Sequence, residues 1–328
     1  MHLPKLPPNA AYIHLANPKR RNALSLSVLH DLKNQLVAAL TSRTSGHLRI
    51  LPPFKQDLLA NLEDAAGQST ASHQWAKYGW LVNASEWRRE REGLPDVLVL
   101  RSEGPVFSSG HDLKELAALE HDQVKLLFAL CAEVMTLIRR SPALVVCPIQ
   151  GLATAAGFQL AISTDYPISL ATTEFCLPGA NIGLPCTSPS TAVSRRLPPG
   201  QAYRLLATAA PVAAADVPGA VEVVPVPQDG RSSEEAFERR TAAVVERLAG
   251  LAAQPQAVGK WAYWTQLGIR EAENPGGISS GRFDGDGYEA AASWAGRAMA
   301  LHARSEDAKE GIDAFVSKRS PKWVSRSQ

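Results

Sequence analysis

Cysteine is scarce: the chain carries four in 328 residues. Cys131, Cys147, Cys176 and Cys186 have neither metal-ligand nor disulfide-framework spacing. They read as reduced, intracellular thiols, and no metal site is expected. An excess of charge of one sign is also lacking. Lys plus Arg total 34 against 32 Asp plus Glu, a net charge of +2. That balance argues against nucleic acid or a charged membrane surface as partner. No apolar run reaches the ~18 residues a membrane helix needs; the richest stretch, 127–163, is cut by Arg139, Arg140 and Pro142. The opening MHLPKLPPNAAY lacks a signal peptide's apolar core and is too short and Pro-rich for an Arg-rich leader. The closing SRSQ is no peroxisomal address.

What is present is an ordinary folding composition, 45% hydrophobic and 20% charged. The length allows about two domains, or one with an appendage. AYIHLAN (11–17) alternates as a strand, and LSLSVLHDLKNQLVAAL reads as a helix with Ser25 as its cap. DVLVLRSEG (96–104) and ALVVCPIQG (143–151) are further strands, and 122–140 is an amphipathic helix. Alternation of strand and helix predicts an α/β core over 1–228. Residues 43–94 interrupt it with a Pro pair, a helix at about 54–66, Trp75, Trp80 and Trp87, and the charge run Arg88–Glu92. They read as an insertion or as a retained intron. As an insertion, its tryptophans pack on the body or on another subunit, and its charge run is solvated. Residues 229–328 read as a helical domain, with helices at 287–304 and 306–318 and a Gly- and Asp-rich loop, ENPGGISSGRFDGDG.

Two small-residue turns each follow a strand and open a helix: Ser108-Ser109-Gly110-His111-Asp112 and Thr154-Ala155-Ala156-Gly157-Phe158-Gln159. Unpaired N–H groups at such turns, if the turns converge, form an oxyanion hole. Ordinary close-packed βα turns are the competing account.

ANPKRRNAL (16–24), VFSSGHDLKEL (106–116), IQGLATAAGFQLAISTD (149–165), FCLPGANIGL (175–184) and EGIDAFVSKRSPKW (310–323) occur in this order. With them the chain resembles the enoyl-CoA hydratase/isomerase (crotonase) superfamily over most of its length outside the insertion. The resemblance implies a spiral of ββα units in two roughly perpendicular sheets. It implies C-terminal helices that build a homotrimer or homohexamer, and a mitochondrial setting; the N-terminus leaves a cytoplasmic one open. It implies an acyl-CoA ligand whose thioester oxygen is held by the backbone N–H groups of His111 and Ala156, and no further cofactor. Coenzyme A is expected beside Lys19, Arg20 and Arg21 and the turn Ser109, Gly110, Asp112 and Leu113. Lys318, Arg319, Lys322 and Trp323 are placed to reach a neighbouring subunit's ligand. A solvated basic loop and a capped helix end are the competing accounts for these cations.

Three positions that hold catalytic carboxylates in relatives hold Gln159, Gly179 and Thr187 here. Adding water across a C=C bond, or shifting that bond, needs a proton donor and acceptor near the reacting carbons. Ordinary hydratase chemistry is therefore not expected. An acyl-CoA binder without chemistry, or a thioester hydrolase or decarboxylase, remains open. Among nearby groups, His111 is the best titratable candidate, although its side chain is expected to point away. Asp112 reads as a helix cap, Glu115 as solvated, Glu174 as surface and Asp165 as structural. Cys176 and Cys186 read as small apolar residues beside the site. Ser108, Ser109, Thr187 and Ser188 are candidates to orient a water.

Overall fold

Strand β1 (Ala10–Leu15), a 3-10 turn at Pro18–Arg20 and helix α1 (Leu26–Leu40) open the computed structural model. The structure describes residues 3–67, 73–228, 232–268 and 305–325. α1 buries Leu29, Leu32, Leu36 and Leu40, a stripe at helical spacing. Ser25 caps it, its hydroxyl accepting from the Val28 N–H at 3.3 Å. Helices α2 (Leu58–Ala65), α3 (His73–Val82) and α4 (Ala84–Arg91) follow. Then come β2 (Val97–Ser102), α5 (Leu113–Ala118), α6 (His121–Arg139), β3 (Leu144–Ile149) and β4 (Leu152–Thr154). α7 (Ala156–Ile162), β5 (Tyr166–Leu170) and β6 (Glu174–Cys176) lead to a 3-10 turn at Pro178–Ile182. α8 (Thr187–Val193), α9 (Pro199–Thr208), β7 (Val212–Ala213) and β8 (Glu222–Val224) complete the strands. α10 (Ser233–Ala249), α11 (Ala253–Gln266) and α12 (Glu306–Val316) close the described chain.

These elements form two units, one of residues 1–40 and 94–250, the other of 41–93 and 251–328. The first is the α/β core. Its main sheet is parallel throughout, in the order β1-β2-β3-β5-β8, and a smaller sheet runs β4-β6-β7. A parallel sheet needs cover on both faces, and every residue of β2 is buried. Val97, Val99, Val146, Ile168 and Val224 of the sheet share one core with Phe237, Val244, Val245 and Ala249 of α10. The boundary expected near 228 is therefore corrected to Gly250. The apolar stripe of α10 is part of the sheet's own cover, so that helix belongs to the core.

In the second unit, residues of 43–94 pack against a helix from the C-terminal part of the chain. Leu51, Leu59, Leu62, Trp80, Leu81 and Trp87 build one buried cluster with Ala257, Val258 and Trp261 of α11. Trp80 and Trp87 stack at 5.9 Å, while Trp75 is half-buried. Gln254 Nε2 donates to the Leu81 carbonyl and Trp261 Nε1 to the Pro53 carbonyl, each at 3.0 Å. The charge run at 88–92 is not wholly solvated: Glu90 is 1% and Arg91 4% exposed. The expected helix at 287–304 and the Gly-rich loop lie outside the described residues.

Glu90 tolerates burial because donors surround it. Burial alone raises a carboxyl's pKa, but hydrogen bonds from Ser45, Arg49 and Ser42 outweigh that and hold Glu90 at about 2. Ser45 Oγ donates at 2.6 Å and Arg49 Nε at 2.8 Å. A carboxylate with a lowered folded pKa stabilises the fold above its unfolded value and loses that contribution as pH falls. The stability advantage over Glu90→Gln is therefore full above pH 4.5 and fades as pH falls toward about 2. Urea unfolding of both proteins between pH 7 and 2 checks this; a constant difference contradicts it.

Candidate functional site

The first turn after β2 lies along β4. Ser108 donates its N–H to the Leu152 carbonyl at 3.3 Å and accepts from the Thr154 N–H at 3.0 Å. Two residues on, Gly110 has φ +82, and a Cβ there would sit 2.9 Å from Ala155 Cβ and 3.3 Å from Ala156 N. A Cβ on Gly157 would sit 2.6 Å from Ser108 Cβ. The two small-residue turns are thus in contact with each other, and glycine is what permits the approach. The strain falls on Ala155, with φ 48 and ψ −122, and its N–H is tied to the Cys176 carbonyl at 2.9 Å. Ala156 follows as the first residue of α7. Among the described residues, the N–H groups of His111 and Ala156 donate to no protein acceptor.

A residue missed in the sequence holds this arrangement. Asn22 is 0% exposed and has φ 51. Its Nδ2 donates to the Glu103 and Val106 carbonyls at 2.7 and 2.8 Å, and its Oδ1 accepts from the Asn17 N–H at 2.8 Å. Its own carbonyl accepts from Ser108 Oγ at 2.8 Å. Asn22 ties the basic turn to the SSGHD turn, and its position after three cations gave only a loop signal. The other missed residue is Phe128.

Beside the joined turns is a cavity of about 470 Å³, within the usual range for small-molecule sites. Its walls are chiefly apolar, and it unites Ser109, His111, Leu113, Ala156, Gly179 and Thr187. His111 Nδ1 is 3.2 Å from the Leu24 carbonyl, and its ring meets Phe128 edge-on at 5.1 Å. The side chain was expected to point away; its ring packs against the Leu24 carbonyl and Phe128, and both His111 and Phe128 border the cavity. Burial lowers its pKa below 6.5, against the opposing Leu24 carbonyl and Glu115.

Gly179 leaves no room for a side chain, since a Cβ would lie 1.9 Å from the Leu184 carbonyl oxygen. Thr187 is exposed at the start of α8. Gln159 is 5% exposed, does not border the cavity, and donates from Nε2 to Thr191 Oγ1 at 3.4 Å. Its Oε1 is buried without a hydrogen-bond partner. Cys186 is in the wall, its sulfur accepting from the Gly179 N–H at 3.3 Å, whereas Cys176 faces the Ala209 carbonyl. Burial pushes both thiols up, so they stay protonated near neutral pH.

Asp112 caps α5, accepting from the N–H groups of Lys114 and Glu115 at 3.1 and 3.2 Å, and pairs with Arg20 at 3.0 Å. Glu115, expected to be solvated, is half-buried and accepts from the Leu26 N–H at 3.0 Å, serving the first turn of α1. Lys19 and Arg21 are exposed, and the Arg21 carbonyl accepts from the Ser109 N–H at 3.0 Å. Glu174 is exposed, and Asp165 Oδ2 accepts from the Val145 N–H at 2.8 Å. Lys318 and Trp323 belong to the second unit. There Lys318 is exposed, and a Cβ on Gly311 would meet the Trp323 ring at 3.3 Å. Arg319 pairs with Glu310 at 2.6 Å and with Asp313 at 2.5 Å.

A family model described as enoyl-CoA hydratase/isomerase matches residues 89–273. The rat (Rattus norvegicus) protein named "Enoyl-CoA hydratase domain-containing protein 3, mitochondrial" is 32% identical over 95% of this chain and 80% of its own. The solved structure of the human protein of that name, without the "mitochondrial", has a TM-score of 0.67 at 28% identity, covering 97% of this chain and 98% of that one. An enoyl-CoA hydratase from Mycobacterium smegmatis has a TM-score of 0.65 at 27% identity, with 96% and 95% covered.

Replacing Asn22 removes three side-chain hydrogen bonds, two of them to the Glu103 and Val106 carbonyls. Asn22→Ala is expected to cost about 2 kcal/mol, since each of these part-buried hydrogen bonds contributes about 0.5–1.5 kcal/mol. Chemical denaturation measures it; a loss under about 1 kcal/mol would contradict the bridging role.

Proposed function

The chain belongs to the enoyl-CoA hydratase/isomerase family, and from that premise we propose that it binds acyl-CoA thioesters and polarises their carbonyl. The observation that carries this reading is the pair of joined turns whose His111 and Ala156 N–H groups have no protein acceptor. Two fixed backbone donors beside an apolar cavity favour an oxygen that gains negative charge, and removing one such donor typically costs 10²–10³ in rate. The acyl chain takes the apolar cavity. The coenzyme's phosphates meet the exposed Lys19 and Arg21 next to the Ser109–Leu113 turn. Assembly as a homotrimer or homohexamer, with Lys318 and Trp323 serving a neighbour's ligand, belongs to the same reading. So does a mitochondrial role in acyl-CoA metabolism, in keeping with the relatives' printed names.

Ordinary hydration is not part of the proposal. Gln159 cannot titrate and does not border the cavity, and Gly179 has no space for a carboxylate. These same positions favour a second reading, a binder without turnover.

Calorimetry with crotonyl-CoA, run beside an assay of its hydration, tests both readings. Binding without hydration is expected. Ala156→Pro removes one donor while keeping a residue suited to a helix's first position. It should weaken crotonyl-CoA binding about tenfold, the equivalent of one hydrogen bond of about 1.4 kcal/mol. No binding by the unaltered protein would overturn the acyl-CoA reading. Clear hydration would show that positions 159, 179 and 187 do not decide the chemistry.

A further inference from the structure

One titratable side chain at the cavity wall keeps a nitrogen that the fold does not use. His111 Nδ1 faces the Leu24 carbonyl at 3.2 Å. A carbonyl only accepts, so Nδ1 carries the proton and the neutral ring keeps its lone pair on Nε2. Among the described residues, none hydrogen-bonds Nε2. The Phe128 contact at 5.1 Å fixes the ring plane, and both residues border the cavity.

The surrounding charged groups are committed elsewhere. On α5, Asp112 serves the helix cap and Arg20, Glu115 serves the Leu26 N–H, and Lys114 is exposed. α6 presents Phe128, and the segment leading to α1 presents the Leu24 carbonyl. Cys186, across the cavity, holds a thiol that burial keeps protonated. His111 is therefore the one side chain of the described cavity wall that offers a basic lone pair near neutral pH, and it belongs to the residue whose N–H is an oxyanion donor.

Resting on the acyl-CoA reading above, we propose that His111 Nε2 is the general base of a thioester hydrolysis in this cavity. A water gives a proton to Nε2 as its oxygen bonds to the thioester carbon. The carbonyl oxygen becomes the anion held by the His111 and Ala156 N–H groups. When that anion collapses, the C–S bond breaks. The coenzyme A sulfur leaves with the bonding pair and takes the proton back from Nε2. The products are a carboxylic acid and the coenzyme A thiol, and water is the only co-reactant. This chemistry asks for one base and an anion site rather than a carboxylate pair, which is what the wall offers. Burial of the ring extends the neutral, basic form to lower pH.

The test uses octanoyl-CoA, reading thiol release and calorimetric affinity for the unaltered protein, His111→Gln and His111→Phe. Both variants keep the N–H of position 111. Expected is a kcat lower by about 100-fold or more, the usual contribution of a positioned base. KM and affinity should stay within about threefold, as for a group acting in the transition state. The unaltered protein's kcat should rise with pH along a limb centred below 6.5, and the variants should lack that limb. Should the variants unfold on thermal scans, that limb in the unaltered protein decides. Variants as fast as the unaltered protein, or a missing limb, would overturn the proposal. So would octanoyl-CoA bound without thiol release, which leaves the binding reading intact. Octanoyl-CoA that fails to bind at all overturns the binding reading itself.

Discussion

The site depends on how closely two turns approach. Gly110 comes so near the Ala155–Ala156 peptide that a single methyl group there would collide. Gly157 repeats the condition against Ser108 on the other side. Backbone hydrogen bonds through Ser108 and Thr154, and the Asn22 bridge behind them, hold the turns at that distance. The cost is a positive φ at Ala155, where the usual solution is glycine. Surrounding structure must over-determine such a residue for it to persist, and the hydrogen bond from its N–H to the Cys176 carbonyl on β6 is part of that support.

From that contact the chemistry of the cavity follows. Donors fixed by the main chain do not depend on which side chains occupy positions 111 and 156, so the proposed oxyanion site needs no carboxylates. The wall then decides what can be done with a bound thioester. Gly179 is excluded from bearing an acid by the Leu184 carbonyl, and both nearby thiols are held neutral by burial. A mainly apolar, uncharged wall strengthens any hydrogen bond to a developing charge. In the proposed hydrolysis, proton transfer falls to the His111 ring.

Much of this was legible in the residues. SSGHD and TAAGF each stand between a strand pattern and a helix pattern, and both turns are where that order put them. The Ser25 cap and the apolar stripe of α1 were local features with local causes. What escaped depended on partners far along the chain. Glu115 looks solvated until α1, 89 positions away, presents the Leu26 N–H. An amphipathic helix such as α10 declares a buried stripe but not the surface it covers, so the boundary near 228 missed it. The tryptophans of 41–93 announced packing, while their partner Trp261 lies 174 residues beyond Trp87, since 261 − 87 = 174. The loss of the acid at 159 was plain from its identity; its place outside the cavity wall was not.

The central claim is that a thioester oxygen sits between two backbone N–H groups. Difference infrared spectroscopy of bound acyl-CoA, labelled with carbon-13 at the thioester carbonyl, observes that oxygen directly. Two hydrogen bonds weaken the C=O bond, so the carbonyl band should move to lower frequency on binding, and Ala156→Pro should return part of the shift. A bound thioester whose band stays at its solution position would contradict the account.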